Sequence, residues 1–488
     1  MENQMENKEI AKKRDKLTRN LFILPQFGGS TFKAYFDGYM AMLLTDVYMI
    51  PILLSGILEA VKNALDWVAS PVFGTFLDRF TFKKGKYWQW IIIGSVGAAI
   101  SYMILFTLPS ITSAPEGLGF FVFLLSILIA VSLAIVNITA VSLYPRLSTD
   151  PKTRSYLAIG QKIGRDGGKT LWGYIVPALL IYFTAISGSE AGGWASTGYV
   201  LGIFGVLCYL AFAVVLKGSS IEKEAIAEKN IGASKKKPKV PLRVVLKGLI
   251  TNRALLVMFL FLTIHKMYYF FQVMSATYFF KYVAQDFSYM GTFMLAFNLC
   301  AILGAIFGVV WVKIFKDSKK AFVAGGVAHI IILLIATLIF KHLSTAMFVV
   351  IISVASFFGG VIEAYLMPMF AAAADYGTWR TGEKADGLNM SIYSVSIRVG
   401  MTFSVMIRTA LLAAAGYNAA KYADGALPSA EVIKTLINLQ TVLPLTLAIV
   451  CFGLVAFFYP LNDNKLAKIR TEIDADRVGK NADLSILN

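Results

Sequence analysis

Residues 56–90 read GILEAVKNALDWVASPVFGTFLDRFTFKKGKYWQW. The stretch begins as an apolar helix long enough to cross a bilayer, yet carries Glu59, Lys62 and Asp66 inside it. It ends in a short loop dense with Arg79, Lys83, Lys84 and Lys86. Ionisable groups in hydrocarbon cost several kcal/mol, so they face a water-filled cavity or a partner. Glu59, Lys62 and Asp66 stand at i, i+3 and i+7 and therefore share one helix face. That face cannot look at lipid. The stretch predicts a polar seam at the centre of a multi-helix membrane bundle.

The rest of the chain agrees. Of its 488 residues, 57% are hydrophobic and only 15% charged, where a soluble protein carries roughly 25%; the mean hydropathy is +0.66. The net charge of +17 could suggest nucleic acid, but the Lys and Arg cluster in loops between apolar runs, the topology signal of an inner-membrane protein. No nucleic-acid partner is expected; the lipid bilayer is. Cys208, Cys300 and Cys451 each lie in an apolar run with no second Cys nearby, so neither a disulfide framework nor a metal site is suggested. The first twenty residues are polar and basic, and no removable signal peptide is expected.

A spanning helix needs about 20 apolar residues, and about twelve candidates can be counted. One set of six occupies 21–46, 52–78, 87–109, 118–144, 157–186 and 196–217; a second occupies 252–284, 288–315, 320–340, 345–374, 386–416 and 438–460. The expected organisation is a cytoplasmic tail (1–20), a six-helix half (21–217), a lysine-rich linker (218–250), a second six-helix half (251–460) and a cytoplasmic tail (461–488). Basic residues crowd the N-terminal tail, the loops after helices 2, 4, 8 and 10, and the C-terminal tail, whereas the alternate connections are nearly free of them. That asymmetry puts both termini in the cytoplasm. The fold class is an all-α membrane protein of two six-helix halves.

Six plus six helices joined by a cytoplasmic linker resembles the major facilitator architecture, in which substrate sits near the midplane between two halves that rock against each other. Two motifs narrow this. PVFGTFLDRFTFKKGKYWQW (71–90), with Gly74, Asp78, Arg79 and Gly85, resembles the helix 2–3 loop of the glycoside–pentoside–hexuronide:cation symporters. Its Gly-x-x-x-Asp-Arg spacing also occurs across the wider superfamily, so taken alone it marks the superfamily and only leans towards the symporters; the other reading is a generic basic loop. AAAADYGTWRTGEKADGLNMSIYSVSIRVG (371–400), with Asp375, Tyr376, Gly377, Lys384 and Arg398, resembles that family's helix 10–11 connection. Weaker echoes are Thr45-Asp46-Val47 closing helix 1 and Tyr278–Val283 closing helix 7.

The resemblance implies a membrane transporter for a small-molecule sugar or glycoside. The family's helix 2 carries two carboxylates one turn apart for the coupling cation; Asp66 falls on the first position and Ser70 on the second. A further helix 4 acid aligns with Asn137, and the helix 1 sugar-binding carboxylate aligns with Ser30. The helix 5 arginine aligns with Lys162 and the helix 11 lysine with Arg398, so both basic positions keep their charge while most acidic ones do not. The chain offers instead Lys33 and Asp37 as an i,i+4 pair, Lys162 with Asp166 as another, Glu59 on helix 2, and Glu363 on helix 10. Each of these pairs reads equally as a structural tie between helices. Tyr269 is the expected sugar-stacking aromatic.

The expected cation-coupling set is thus Asp66, Lys62, Ser70 and Asn137, and the expected substrate set Arg398, Lys162, Asp37, Lys33, Glu59 and Tyr269. One carboxylate beside Ser70 and Asn137 is a poor cage for a hard cation, and the Lys62 ammonium can occupy the place of one. The coupling ion expected is therefore H+ rather than Na+, with no cofactor. No phosphate-cradling loop, metal cluster or nucleophile–base pair appears in the sequence, which argues against an enzyme or an ATP-driven pump. A facilitator, a carrier of another solute, and a non-transporting sensor of the same fold are the alternatives. The protein is expected to work as a monomer. If Asp66 exchanges the coupling ion, Asp66→Asn abolishes uphill uptake at normal expression; full accumulation by that variant removes the assignment.

Overall fold

The computed structural model describes residues 13–79, 82, 85–112, 118–148, 150–224, 252–382, 386–422 and 426–487. The chain folds as two compact units, Met1–Lys236 with Asn418–Ala426, and Lys237–Tyr417 with Leu427–Asn488.

In the first unit, α1 (Ile23–Met42) runs into a π turn, Leu43–Val47. It is followed by α2 (Ile52–Arg79), α3 (Tyr87–Ile111) and α4 (Gly119–Leu147). Then α5 (Pro151–Lys162) continues through a second π turn, Ile163–Gly167, into α6 (Gly168–Ser187), and α7 (Glu190–Leu216) completes the set. The second unit opens with α8 (Arg253–Tyr278), again ending in a π turn, Phe279–Val283. It continues with α9 (Tyr289–Phe315), α10 (Ser318–Leu338), α11 (Thr345–Thr381) and α12 (Asp386–Ala414). Its sixth span is made of α13 (Ala430–Gln440) and α14 (Val442–Phe458), and α15 (Asp463–Asp474) lies beyond it.

Among the described residues, ten helices are long and apolar enough to cross a membrane. The two others that the sequence puts in the twelve are α1 and α2, the second of which carries Glu59, Lys62 and Asp66. The outer surfaces are apolar: on α9, Leu299, Leu303, Ile306, Val310 and Ile314 form one exposed stripe. Such a stripe suits lipid and not water.

Local sequence explains the ends. Asp150, Ser189, Asn252, Asp317, Ser344 and Asn462 each accept a backbone N–H of the following helix's first turn, as N-caps do. Asp150 is followed by Pro151 at the first helical position, where a missing N–H costs nothing; this is why α5 begins earlier than residue 157. Gly188 and Gly382 close their helices at φ of 68° and 78°, the left-handed cap that glycine takes without strain. Because α11 runs on to Gly382, Asp375, Tyr376 and Gly377 are helical residues and not part of a connection. The last span starts earlier than 438 and is broken at Thr441. Pro444 cannot donate to the carbonyl of Gln440 and its ring pushes that carbonyl aside. The freed oxygen accepts from Gln272 Nε2 at 3.5 Å, and Gln440 Nε2 donates to Gln272 O at 2.9 Å.

The two units share a device. After the π turn of α1, Tyr48 N–H donates to Leu43 O and Ile50 N–H to Leu44 O, with Met49 at φ 54°. After the π turn of α8, Ala284 N–H donates to Phe279 O and Asp286 N–H to Phe280 O, with Gln285 at φ 54°. The two short echoes in the sequence are thus the same backbone turn, made once in each unit.

An especially close helix approach lies between α9 and α11. A Cβ at Gly304 would overlap the carbonyl oxygen of Phe357, and one at Gly360 that of Ala301. Backbone meets backbone here, so no side chain can give way. Gly304→Ala and Gly360→Ala are each expected to destabilise the protein by about 1–3 kcal/mol through overpacking, read as a lower denaturation temperature of the purified protein. An unchanged temperature contradicts this contact.

Candidate functional site

On α2, Glu59 and Lys62 are both buried, each 5% exposed, and Asn63 beside them is buried too. The polar face foreseen around residue 59 is therefore inside the protein. The side chains of Asp66 and Ser70, one and two turns further on, lie outside the described residues, as do those of Asp37, Asp78 and Arg79. Gly74 lies in the same helix. Asn137 is exposed on α4 and Lys33 exposed on α1.

Lys162 stands exposed where α5 enters its π turn. Asp166 pairs with its neighbour Arg165, Nε to Oδ1 at 2.9 Å, and not with Lys162 as the spacing alone suggested. The glycine-rich start of this span serves close packing: a Cβ at Gly164 would crowd the backbone of Ile23 on α1, and Ser30 Oγ donates to Gly164 O at 3.3 Å.

In the second unit, Arg398 is half-buried on α12 and Tyr269 half-buried on α8. Lys266, buried on α8, donates to Glu363 Oε1 on α11 at 2.7 Å. Its Nζ also lies 5.2 Å from the centre of the Tyr269 ring. Sequence spacing could not join residues 266 and 363, which are 97 positions apart. The adjacent His265 is buried in a ring cluster, stacked 5.4 Å from Phe261 and edge-on to Tyr268 at 5.1 Å.

The loop motifs secure helix ends. In the first, Lys86, Tyr87 and Trp88 donate their backbone N–H groups to Glu222 at 2.6, 2.8 and 2.7 Å. These groups open α3, where no earlier turn supplies a carbonyl, and a carboxylate there also meets the positive end of the helix dipole. Gly85 is required because a Cβ would collide with the Trp88 ring and stand 3.1 Å from Glu222 Oε2. The second unit repeats the arrangement: Asp463, after its last span, accepts from Ser318 N–H at 2.8 Å at the start of α10.

In the second motif, Asp375 Oδ2 accepts from Arg470 Nε at 2.8 Å, and Tyr376 Oη from Arg380 at 3.0 Å. Gly377 leaves room for Asn252, which caps α8 and donates to Ala373 O at 2.7 Å. Two residues on, Trp379 donates to Glu472 of α15 at 2.7 Å. Glu222, Asn252, Asp463 and Glu472 were not foreseen, because each acts on a partner far away in the chain. Glu222→Ala leaves three N–H groups without their acceptor and is expected to cost about 1–3 kcal/mol, seen as a lower denaturation temperature; no loss would mean the carboxylate is dispensable for this cap.

Three comparisons bear on this arrangement. A family model described as MFS/sugar transport protein matches residues 21–463. The isoprimeverose transporter of Lactiplantibacillus pentosus is 25% identical over 78% of this chain and 76% of its own. A putative glycoside/cation symporter of Escherichia coli is 24% identical over 90% of this chain and 91% of its own. Among solved structures, a bacterial homolog of the human lysosomal transporter Spinster, inward-facing and unoccupied, superposes with a TM-score of 0.62 at 14% identity, over 96% of this chain and 99% of that one; this likeness is one of fold. The family resemblance carried by the motifs at 71–90 and 371–400 therefore holds. The chain belongs to the MFS/sugar transport protein family: it is an integral membrane protein and a secondary active sugar transporter, not an enzyme.

Proposed function

We propose that the protein carries a sugar or glycoside across the bacterial inner membrane by alternating access, coupled to H+, with both termini in the cytoplasm. The observation that carries the coupling reading is Lys62, an ammonium buried on α2 one turn before Asp66. An ammonium at that spacing competes with a metal cation for the same carboxylate charge. Na+ wants several oxygen ligands, and α2 with Asn137 supplies few. A lone intramembrane carboxylate can instead exchange a proton. The orientation rests on the basic loops.

Lys162 and Arg398 are the cationic donors for substrate hydroxyls in this reading. Arg398 offers a planar fork of donors that a lysine lacks, so it supplies orientation as well as charge. The names of the relatives, a transporter of isoprimeverose and a glycoside/cation symporter, support a glycoside as cargo. The same buried lysine favours one second reading: with Lys62 as a built-in cation, the protein runs as a facilitator.

Reconstituted vesicles with pH and Na+ gradients imposed separately test this. Inward sugar accumulation is expected with the pH gradient and not with Na+ at fixed pH. Strong Na+ stimulation at fixed pH overturns the coupling assignment, and flux that answers to neither gradient establishes the facilitator.

A further inference from the structure

Lys266 and Glu363 face each other near the middle of α8 and α11, about 18 Å or more from the nearest helix end at 1.5 Å per residue. Their burial is unequal. The lysine side chain is 9% accessible and the glutamate side chain 46%. A half-open glutamate at that depth cannot face hydrocarbon, so this face of the second unit is wet. The lysine is locked in from behind: at Gly400 of α12 a Cβ would stand only 3.1 Å from Lys266 Cβ. Tyr269, one turn along α8, presents its ring to the Lys266 ammonium at 5.2 Å and rests against Phe297 of α9 at 5.8 Å.

A structural ion pair has no use for this asymmetry. Two helices are tied more effectively by a pair that is wholly buried and fully hydrogen-bonded, or by apolar contacts. Here the cation is buried, and the glutamate it binds stays half-open next to an aromatic ring. The charge of the carboxylate is balanced from within the protein, so its ligand need carry none. An acceptor for hydroxyl groups beside a ring for an apolar C–H face is the pair of contacts a neutral pyranoside asks for.

We propose that Glu363 and Tyr269 form a sugar-binding subsite of the second unit, positioned by Lys266, which accepts hydroxyls of a neutral glycoside at Glu363 and stacks its ring on Tyr269. The subsite rests on the sugar-transport reading above and adds to it where the second unit grips the cargo. Lys266 is a positioning residue: it fixes the carboxylate rotamer and supplies the countercharge.

The test is equilibrium binding by the purified protein, with isoprimeverose, lactose and xylose as probes, alongside uptake in vesicles. Loss of a hydrogen bond to a charged group costs affinity about tenfold or more, and that is the expected effect of Glu363→Gln. Tyr269→Phe is expected to keep affinity and Tyr269→Ala to lose it. The double variant Lys266→Met/Glu363→Leu guards against misfolding. It replaces the pair by apolar groups of similar size, which folds as well or better, and affinity is still expected to be lost. If the double variant regains wild-type affinity, the pair is only structural and the proposal is overturned. Unchanged affinity in Glu363→Gln with lost accumulation overturns it too, and moves Glu363 to ion coupling. If the wild type itself neither binds nor moves any of the sugars, the sugar reading falls first and the subsite falls with it; wild-type binding with an indifferent Glu363→Gln removes the subsite alone.

Discussion

A charged group in hydrocarbon must find water or a partner, and the structure depends on how the chain meets that requirement. It meets it differently in the two units. On α2, Glu59 and Lys62 are taken fully inside the protein. On α8 and α11 the lysine is buried and the glutamate side chain stays half-open. The same cost keeps the outward faces of the spans apolar, as the stripe on α9 does, and confines unpaired backbone groups to helix ends. Where a span must be interrupted, a partner receives the freed group: the break before Pro444 is sealed by the reciprocal bonds of Gln272 and Gln440.

Both units then reuse the same joints. Each first span closes in a π turn followed by a left-handed residue, Met49 in one and Gln285 in the other. Each third span is capped by a carboxylate that arrives after the sixth, Glu222 in one and Asp463 in the other. These caps use aligned N–H groups that would otherwise be unsatisfied at the end of the hydrocarbon region. They tie segments distant in sequence, so the ends of a unit hold together while its middle is free to carry polar groups. The family motifs belong to this framework. Gly85 is shaped by the approach of Trp88 and Glu222, and Gly377 by the approach of Asn252. Asp375 and Trp379 anchor α15, which makes the segment after the last span a docked helix where the sequence suggested only a basic tail.

The two units treat their intramembrane charges differently. The first unit buries Glu59 and Lys62 on α2. The second unit pairs buried Lys266 with Glu363, whose side chain stays half-open. Glycine supports both without taking part in chemistry. Gly400 lets α12 close behind Lys266, and Gly304 with Gly360 lets α9 and α11 touch backbone to backbone.

What the sequence determined by itself was set by periodicity, composition and punctuation, which are local. Length and hydropathy gave the spans, because crossing hydrocarbon demands about 20 apolar residues in a row. Asn, Asp and Ser before several helices, and Gly188 and Gly382 after two, fix those ends locally, because end groups must be satisfied within a turn or two. The run from Ala371 to Gly400 gave the family. Tertiary structure alone decided which residues meet across helices. It joined Lys266 to Glu363, Glu222 to α3, and Glu472 to Trp379, since each contact depends on how helices cross and not on any spacing along one of them. It also gave Asp166 to its neighbour Arg165 and not to Lys162, because i+4 spacing allows a pair without choosing between competing cations, and no residue type in Ile163–Gly167 announces the π turn there.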